Sequence, residues 1–203
     1  MLHNALAVSA RRRALVIQLA IAVVTFVLLP HANATVSATG TIAETATSVS
    51  FNTYALTLQN TSTAGNTLET FWFAWVPGQD YLDTDPLSVI TPTGWTDTIT
   101  GGGGSDGYAI QFSTSISGDA VAVGSTLSGF GFTSTDSFAQ IKGDSNFYPT
   151  TLVTTSEVST GSGFGGSRSS AFTVVAVPEP TSTVFIAAGG ALLLTFQKRR
   201  RRL

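Results

Sequence analysis

The sequence predicts an all-β protein, an antiparallel β-sandwich of about eight strands in an immunoglobulin-like or jelly-roll-like layout. Three observations predict it. Apolar residues alternate with polar ones over several short segments, which is the two-residue period of a strand buried on one face. Serine, threonine and glycine are abundant, and only 11% of the 203 residues are charged, against about 25% in an ordinary soluble domain. Turn-forming clusters separate the alternating segments at short intervals.

The strands follow in order. Val36 to Ala43 is the first candidate. Tyr54, Leu56 and Leu58 alternate with Ala55, Thr57 and Gln59, and the Asn60 to Asn66 turn follows. Leu68 to Val76 is apolar on both parities and reads as one central strand, closed by Pro77-Gly78. Thr96 to Thr100 comes after the Pro92-Thr93-Gly94 turn. Tyr108, Ile110 and Phe112 alternate after the Gly101 to Gly107 turn, and Phe130 and Phe132 alternate with Gly129, Gly131 and Thr133. Leu152 to Val158 and Ala171 to Ala176 complete the set, with the Gly161 to Gly166 turn between them. The expected core is Tyr54, Leu56, Leu58, Trp72, Tyr108, Ile110, Phe112, Phe130 and Phe132. A regular strand would set Trp72 and Trp75 on opposite faces.

The two ends have a different character. Arg11 to Arg13 precede an apolar run from Ala14 to Leu29, which Pro30 closes because it has no amide donor. Ala32-Asn33-Ala34 supplies the small residues that signal peptidase accepts, so residues 1–34 read as a secretory signal helix. Val36-Ser37-Ala38 is a second cleavage candidate, and an uncleaved anchor is the competing reading. At the other end, Val184 to Phe196 is apolar apart from Thr195. As a helix it covers ~20 Å, short of the ~30 Å hydrocarbon core, so it needs local thinning or snorkelling of the basic residues that follow. Lys198, Arg199, Arg200, Arg201 and Arg202 stay cytoplasmic by the positive-inside rule. Both ends thus place the middle segment outside the inner membrane. No cysteine is present, so a disulfide scaffold, a thiol nucleophile and a lipid-modified lipoprotein are excluded.

Val177-Pro178-Glu179-Pro180, the short apolar run and the Lys198 to Arg202 cluster resemble a PEP-CTERM sorting signal. The resemblance covers residues 178–203 and the preceding Val177. It implies recognition by an exosortase, a membrane-embedded cysteine transpeptidase of Gram-negative bacteria that make exopolysaccharide. The implied partners are that exosortase, the Sec machinery with signal peptidase, and the inner membrane as a transient anchor. Exopolysaccharide is a further candidate partner. Pro178 and Pro180 hold the backbone extended, which suits a cleavage or docking site at a membrane surface. Phe71-Trp72-Phe73-Ala74-Trp75-Val76-Pro77-Gly78-Gln79-Asp80-Tyr81-Leu82 with Pro92-Thr93-Gly94-Trp95 is similar to a segment of PEP-CTERM proteins of unknown activity. It implies no chemistry.

The expected mature domain, residues 35–177, has eleven acidic residues against Lys142 and Arg168, a net charge of −9. Such a surface repels phosphate backbones, so nucleic acid is not an expected partner. Histidine stops at His31, which removes a histidine base or histidine metal ligands from the domain. Asp80, Asp83 and Asp85 share one loop and form a candidate calcium set, although the spacing is not that of an EF-hand. Gly101 to Gly104 has no following Lys-Ser/Thr, so it reads as a hairpin rather than a phosphate cradle. A pair of distant carboxylates for glycan hydrolysis has no motif behind it. Trp75, Tyr81 and Trp95 are candidate sugar-stacking residues. No cofactor is expected. The reading is a non-enzymatic surface or matrix protein, with a carbohydrate-binding module as the alternative and a glycan hydrolase as a third class. N-terminal sequencing of the exported protein is expected to find Thr35 first. Intact Met1 in the envelope fraction would overturn the signal reading.

Overall fold

Three large side chains on one face of an extended segment must find an opposing apolar face. Tyr54, Leu56 and Leu58 do so, each with no exposed surface. The computed structural model describes residues 35–63 and 65–177. The expected signal segment 1–34 and sorting segment 178–203 lie outside the described residues, and so do Ala32, Ala34, Pro178, Glu179, Pro180 and Lys198 to Arg202.

The described chain forms β1 (Ala38–Thr47), β2 (Asn52–Asn60), β3 (Thr70–Phe73), β4 (Trp75–Val76), β5 (Gln79–Asp80) and β6 (Ser88–Ile90). It continues through β7 (Thr96–Gly101), β8 (Tyr108–Ser113), β9 (Thr126–Ser134), the one-turn helix α1 (Phe138–Ile141), β10 (Thr155–Ser159), β11 (Phe172–Thr173) and β12 (Val175–Ala176). The first sheet has the order β12-β1-β2-β9-β6, the second has β11-β10-β3-β8-β7, and β4 and β5 form a separate hairpin. The fold is all-β, with two five-stranded sheets whose inner faces share one core. All pairings within the sheets are antiparallel except β1 with β12, which is parallel.

Aromatic rings join the sheets. Phe71 of β3 meets Phe130 of β9 edge-on at 5.7 Å, and Phe112 of β8 meets the same ring at 5.0 Å. Phe73 packs on Phe132 at 5.3 Å between centroids. Such ring pairs add about 0.5–1.5 kcal/mol each beyond the area they bury. Tyr54 carries a polar group into this layer, and its hydroxyl donates to the Asp136 carbonyl at 2.6 Å.

The inward face of β9 does not follow simple parity. Leu58 pairs with Leu127 and Leu56 with Phe130, so Ser128 and Gly129 together oppose Thr57. Gly129 takes a φ of 97°, the left-handed conformation such a bulge needs. The extra residue lets Leu127, Phe130 and Phe132 all pack against the core.

Several sequence expectations are corrected. The described residues form twelve strands where about eight are expected, because short ones such as β6 and the β4–β5 hairpin carry little periodic signal. The expected single strand Leu68 to Val76 is broken at Ala74, which adopts a φ of 60°. The Leu152 to Val158 strand begins later, as β10, and the Ala171 to Ala176 strand is split into β11 and β12 in different sheets. Trp72 does not enter the inter-sheet core. Phe71 and Phe73 take that face, and Trp72 lies in a separate cluster with Trp75 and Ala109 on the outer face of the second sheet. Tyr108 is only partly buried against the core. The helix α1 was not expected, although Ser137 and Gln140 form a capping box: Ser137 Oγ accepts from the Gln140 amide, and Gln140 Oε1 accepts from the Ser137 amide.

Truncating Phe112 removes a fully buried ring from the sheet junction and is expected to cost ~3–5 kcal/mol. Gln59→Ala, at an exposed position on β2, is expected to stay within ~0.5 kcal/mol. Urea unfolding of the two variants checks both. The reverse order would mean that the inner and outer faces of these strands are exchanged.

Candidate functional site

On the outer face of the second sheet, aromatic rings and carboxylates gather away from the inter-sheet core. The register sets a row across it: Glu157 of β10 lies beside Trp72 of β3, Trp72 beside Gln111 of β8, and Gln111 beside Thr98 of β7. One pair further along, Ala109 faces Thr100.

Ala74 brings a second indole to this face. Had the strand continued regularly, Trp75 would point away from Trp72. The positive φ at Ala74, which costs roughly 1–2 kcal/mol for a residue with a Cβ, reverses the chain direction locally. The kink is held from both sides: the Ala74 amide donates to Ser156 Oγ at 3.4 Å, and the Ala74 carbonyl accepts from the Tyr81 amide at 2.9 Å. Trp72 and Trp75 then stack with centroids 4.8 Å apart. Phe164, from the glycine-rich loop after β10, lies on both, at 5.5 Å from Trp72 and 5.7 Å from Trp75. The indoles are buried, whereas Phe164 is 69% exposed.

Glu157 is buried beside this stack. Burial pushes its carboxyl above the usual range, and the field of Arg168 partly offsets that rise. Among the described residues no hydrogen bond contributes to its stabilisation.

Asp80 sits at the end of β5, on the same side of the sheet, and accepts from Thr100 Oγ1 at 3.0 Å. Its own amide donates to Asp106 Oδ1 at 2.9 Å, and Tyr148 donates its hydroxyl to the same oxygen at 2.9 Å. Gly107 makes the close approach possible, since a Cβ there would lie 2.6 Å from the Asp80 carbonyl oxygen. Burial, opposed by the Thr100 hydrogen bond and reinforced by the neighbouring Asp106 carboxylate, pushes Asp80 up to about 6. Burial acts upward on Asp106 as well, but the hydrogen bonds from Asp80, Tyr148 and the Gly107 amide outweigh it and hold Asp106 below the usual carboxylate range. Asp80 is therefore the member of the pair that takes up a proton first as the pH falls.

The residues singled out from the sequence fall elsewhere than expected. Asp80 turns towards Asp106, Asp83 accepts from the Asn146 amide and side chain at 3.0 and 2.6 Å, and Asp85 is exposed. Among the described residues no group of three or more acidic or histidine side chains converges as a metal site, so the calcium set is not assembled. Trp75, Tyr81 and Trp95 are all buried and do not form a row. Trp75 belongs to the outer cluster and the other two to the main core. Tyr81 packs edge-on against Tyr148 and donates to Gln79 Oε1 at 2.6 Å. Trp95 packs edge-on against Phe130 and donates its indole N–H to the Asp119 carbonyl. It also lines a cavity of about 260 Å³ with Asp119, Val121 and Leu127. Gly101 to Gly107 is the β7–β8 hairpin connection, as expected. Val177, the first residue of the sorting signal, is the last described residue, and its amide donates to the Ile42 carbonyl at 2.8 Å.

Trp72, Phe164, Gln111 and Glu157 were not marked by sequence reasoning as a group. One signal was available: Phe164 is a lone aromatic in a run of glycines and serines, where a turn alone needs no ring.

No protein-family model matches the chain, and no curated protein matches it. Among solved structures, the chain resembles an inactive mutant of the GH20 exo-β-N-acetylglucosaminidase of Vibrio harveyi and the same enzyme in complex with N-acetylglucosamine. Each is 12% identical with a TM-score of 0.37, over 70% of this chain. The chain spans about 18% of the length of those enzymes.

The Asp80–Asp106 pair makes stability depend on pH. A carboxyl raised to about 6 in the fold, against about 4 unfolded, binds its proton more tightly in the native state between those values. Its contribution is most favourable below pH ~4 and is lost as pH rises through ~6. Asp80→Asn retains an oxygen for Thr100 and removes this titration. The variant is expected to gain stability relative to the parent as pH rises from 4.5 to 7, measured by denaturant midpoints. A parallel pH profile for the two proteins would show that Asp80 titrates normally.

Proposed function

We propose that the chain is an exported, exosortase-sorted β-sandwich protein of the cell surface or extracellular matrix, associated with exopolysaccharide, and that it works without catalysis. The observation that carries this reading is the tripartite C-terminal sequence, Val177-Pro178-Glu179-Pro180, apolar run and Lys198 to Arg202, combined with the N-terminal signal pattern that ends at Ala32 and Ala34. On this reading a signal helix and a short membrane helix flank an immunoglobulin-like or jelly-roll-like sandwich. The final location is the outer surface or matrix of a Gram-negative bacterium.

The end of the folded part supports the arrangement. β12 pairs with β1, Val177 is hydrogen-bonded to Ile42, and the Pro-Glu-Pro motif begins at the next residue. Cutting at that motif would leave every strand of both sheets in place. Neither nucleic acid nor a cofactor has a role in this reading.

A carbohydrate-binding module is the second reading, favoured by the outer-face stack of Trp72, Trp75 and Phe164. Its polar neighbours, Gln111 and Glu157, are the residue types that orient a sugar ring.

The test of the sorting reading uses the native host. Replacing Pro178 and Pro180 together by alanine is expected to leave an uncleaved form held in the inner membrane, seen by fractionation and mass. Normal processing and release of the double variant would overturn it.

A further inference from the structure

Glu157 is the residue the fold does not account for. It is only 7% exposed, yet among the described residues no hydrogen bond stabilises its carboxylate, and the charge acting in its favour is that of the exposed Arg168. Burying an ionised group without donors is costly, and structural proteins avoid it by pairing. No side-chain oxygen or nitrogen among the described residues is both sealed from solvent and without a partner. The Glu157 oxygens therefore look into a small opening at the surface and are not enclosed. That opening lies beside the Trp72 indole, because Glu157 and Trp72 are register partners on the same face.

The cover over this spot is slight. The loop after β10 is tied at its base: Thr70 Oγ1 donates to the Gly161 carbonyl at 2.7 Å, and Ser159 Oγ donates to the Gly165 carbonyl at 2.5 Å. Its tip makes one weak internal bond, Gly165 amide to Ser162 carbonyl at 3.3 Å. The tip is otherwise held by Phe164 lying on the two indoles, with most of that ring in water. Gly163 stands over Gln111, whose side-chain nitrogen would lie 3.6 Å from a Cβ at that position. A phenyl ring that covers two indoles while remaining exposed gains little from its own burial. A ligand with an apolar ring face can displace it at small cost.

We propose that this face binds a pyranose ring carrying a free amine, as in a de-N-acetylated hexosamine polymer, with the sugar taking the place of Phe164 against Trp72 and Trp75. The axial C–H face of the ring lies on the indoles. The ammonium donates to Glu157, supplying the hydrogen-bond donors its carboxylate lacks and adding to the field of Arg168. An ammonium near the indole faces is further favoured by their π electrons. Gln111 reaches a ring hydroxyl. The net charge of −9 over residues 35–177 agrees with this choice, since it attracts a cationic polymer and repels an acidic one.

The proposal rests on the carbohydrate-binding reading and goes beyond it by naming the site and the amine. Its test uses the full chain in detergent, titrated calorimetrically with a β-1,4-linked glucosamine hexamer, an N-acetylglucosamine hexamer and cellohexaose. The glucosamine hexamer is expected to bind at least about tenfold more tightly than the other two. Glu157→Gln, which keeps the shape, is expected to lose about tenfold or more for the glucosamine hexamer and to leave the neutral sugars unchanged. Phe164→Ala is expected to tighten binding several-fold by removing the competing ring. Near-ultraviolet circular dichroism reports whether the Trp72–Trp75 stack survives in each variant. Equal binding of all three sugars, unaltered by Glu157→Gln, would overturn the amine and leave the carbohydrate-binding reading standing. No binding of any of them to the parent or to Phe164→Ala, with the stack intact, would overturn both.

Discussion

The ring of Phe71 is where the fold is decided. It contacts four other phenyl rings, those of Phe73, Phe112, Phe130 and Phe172, which come from β3, β8, β9 and β11. Those strands belong to both sheets, so this ring is the centre of the packing that joins them, with the Phe73–Phe132 and Phe112–Phe130 pairs beside it. With so few charges and no disulfide, the domain depends on ring packing of this kind to balance the entropy of ordering the chain. Lys142 and Arg168 are its only cations, so attraction between opposite charges can add little.

That constraint reaches the outer face through β3. Phe71 and Phe73 occupy the inward positions of a four-residue strand that is buried throughout, and Trp72 is thereby forced outward. An outward tryptophan in the middle strand of a five-stranded sheet needs cover. The kink at Ala74 provides part of it by folding Trp75 back over its neighbour, and the loop that carries Phe164 provides the rest. The hairpin that follows the kink also sets Asp80 against Asp106. Core packing, the aromatic stack and the carboxylate pair therefore form one chain of causes that starts at Phe71.

How much of this was legible follows from what each element buries. β2, β8 and β9 put large apolar side chains on one face and small or polar ones on the other, so most of their alternation could be read directly. Nearly all their inward residues were assigned correctly: Tyr54, Leu56, Leu58, Ile110, Phe112, Phe130 and Phe132. β3 is buried on both faces, and the consecutive aromatics Phe71-Trp72-Phe73 give no parity. Trp72 was misassigned for that reason. A positive φ at an alanine leaves no trace in the sequence, since glycine or asparagine is what usually marks such a position. Glu157 could not be singled out among eleven acidic residues by spacing, because its neighbours Trp72 and Gln111 are remote in the chain and meet only through strand pairing. The turns were easier to read, as Pro92-Thr93-Gly94 and Gly101 to Gly107 lie where the chain reverses. Short elements were the hardest: β5 and β6, of two and three residues, were not expected, and the breaks that set off β4, β11 and β12 as two-residue strands fall below any period.

The closing segment of the domain changes sheets. β11 pairs with β10, Val174 is buried, and β12 then lies parallel to β1, with Thr41 opposite Val175. The first strand and the last are therefore neighbours, although nearly the whole domain separates them in sequence. A chain that stops short of Phe172 leaves β1 and β10 with bare edges and leaves the Phe71 ring short of one partner. Bare edges invite aggregation and proteolysis. The architecture thus acts as a proof of completeness. Only a chain that runs through Ala176 has every strand of both sheets in place, and one that ends earlier offers the long β1 as an edge to other chains.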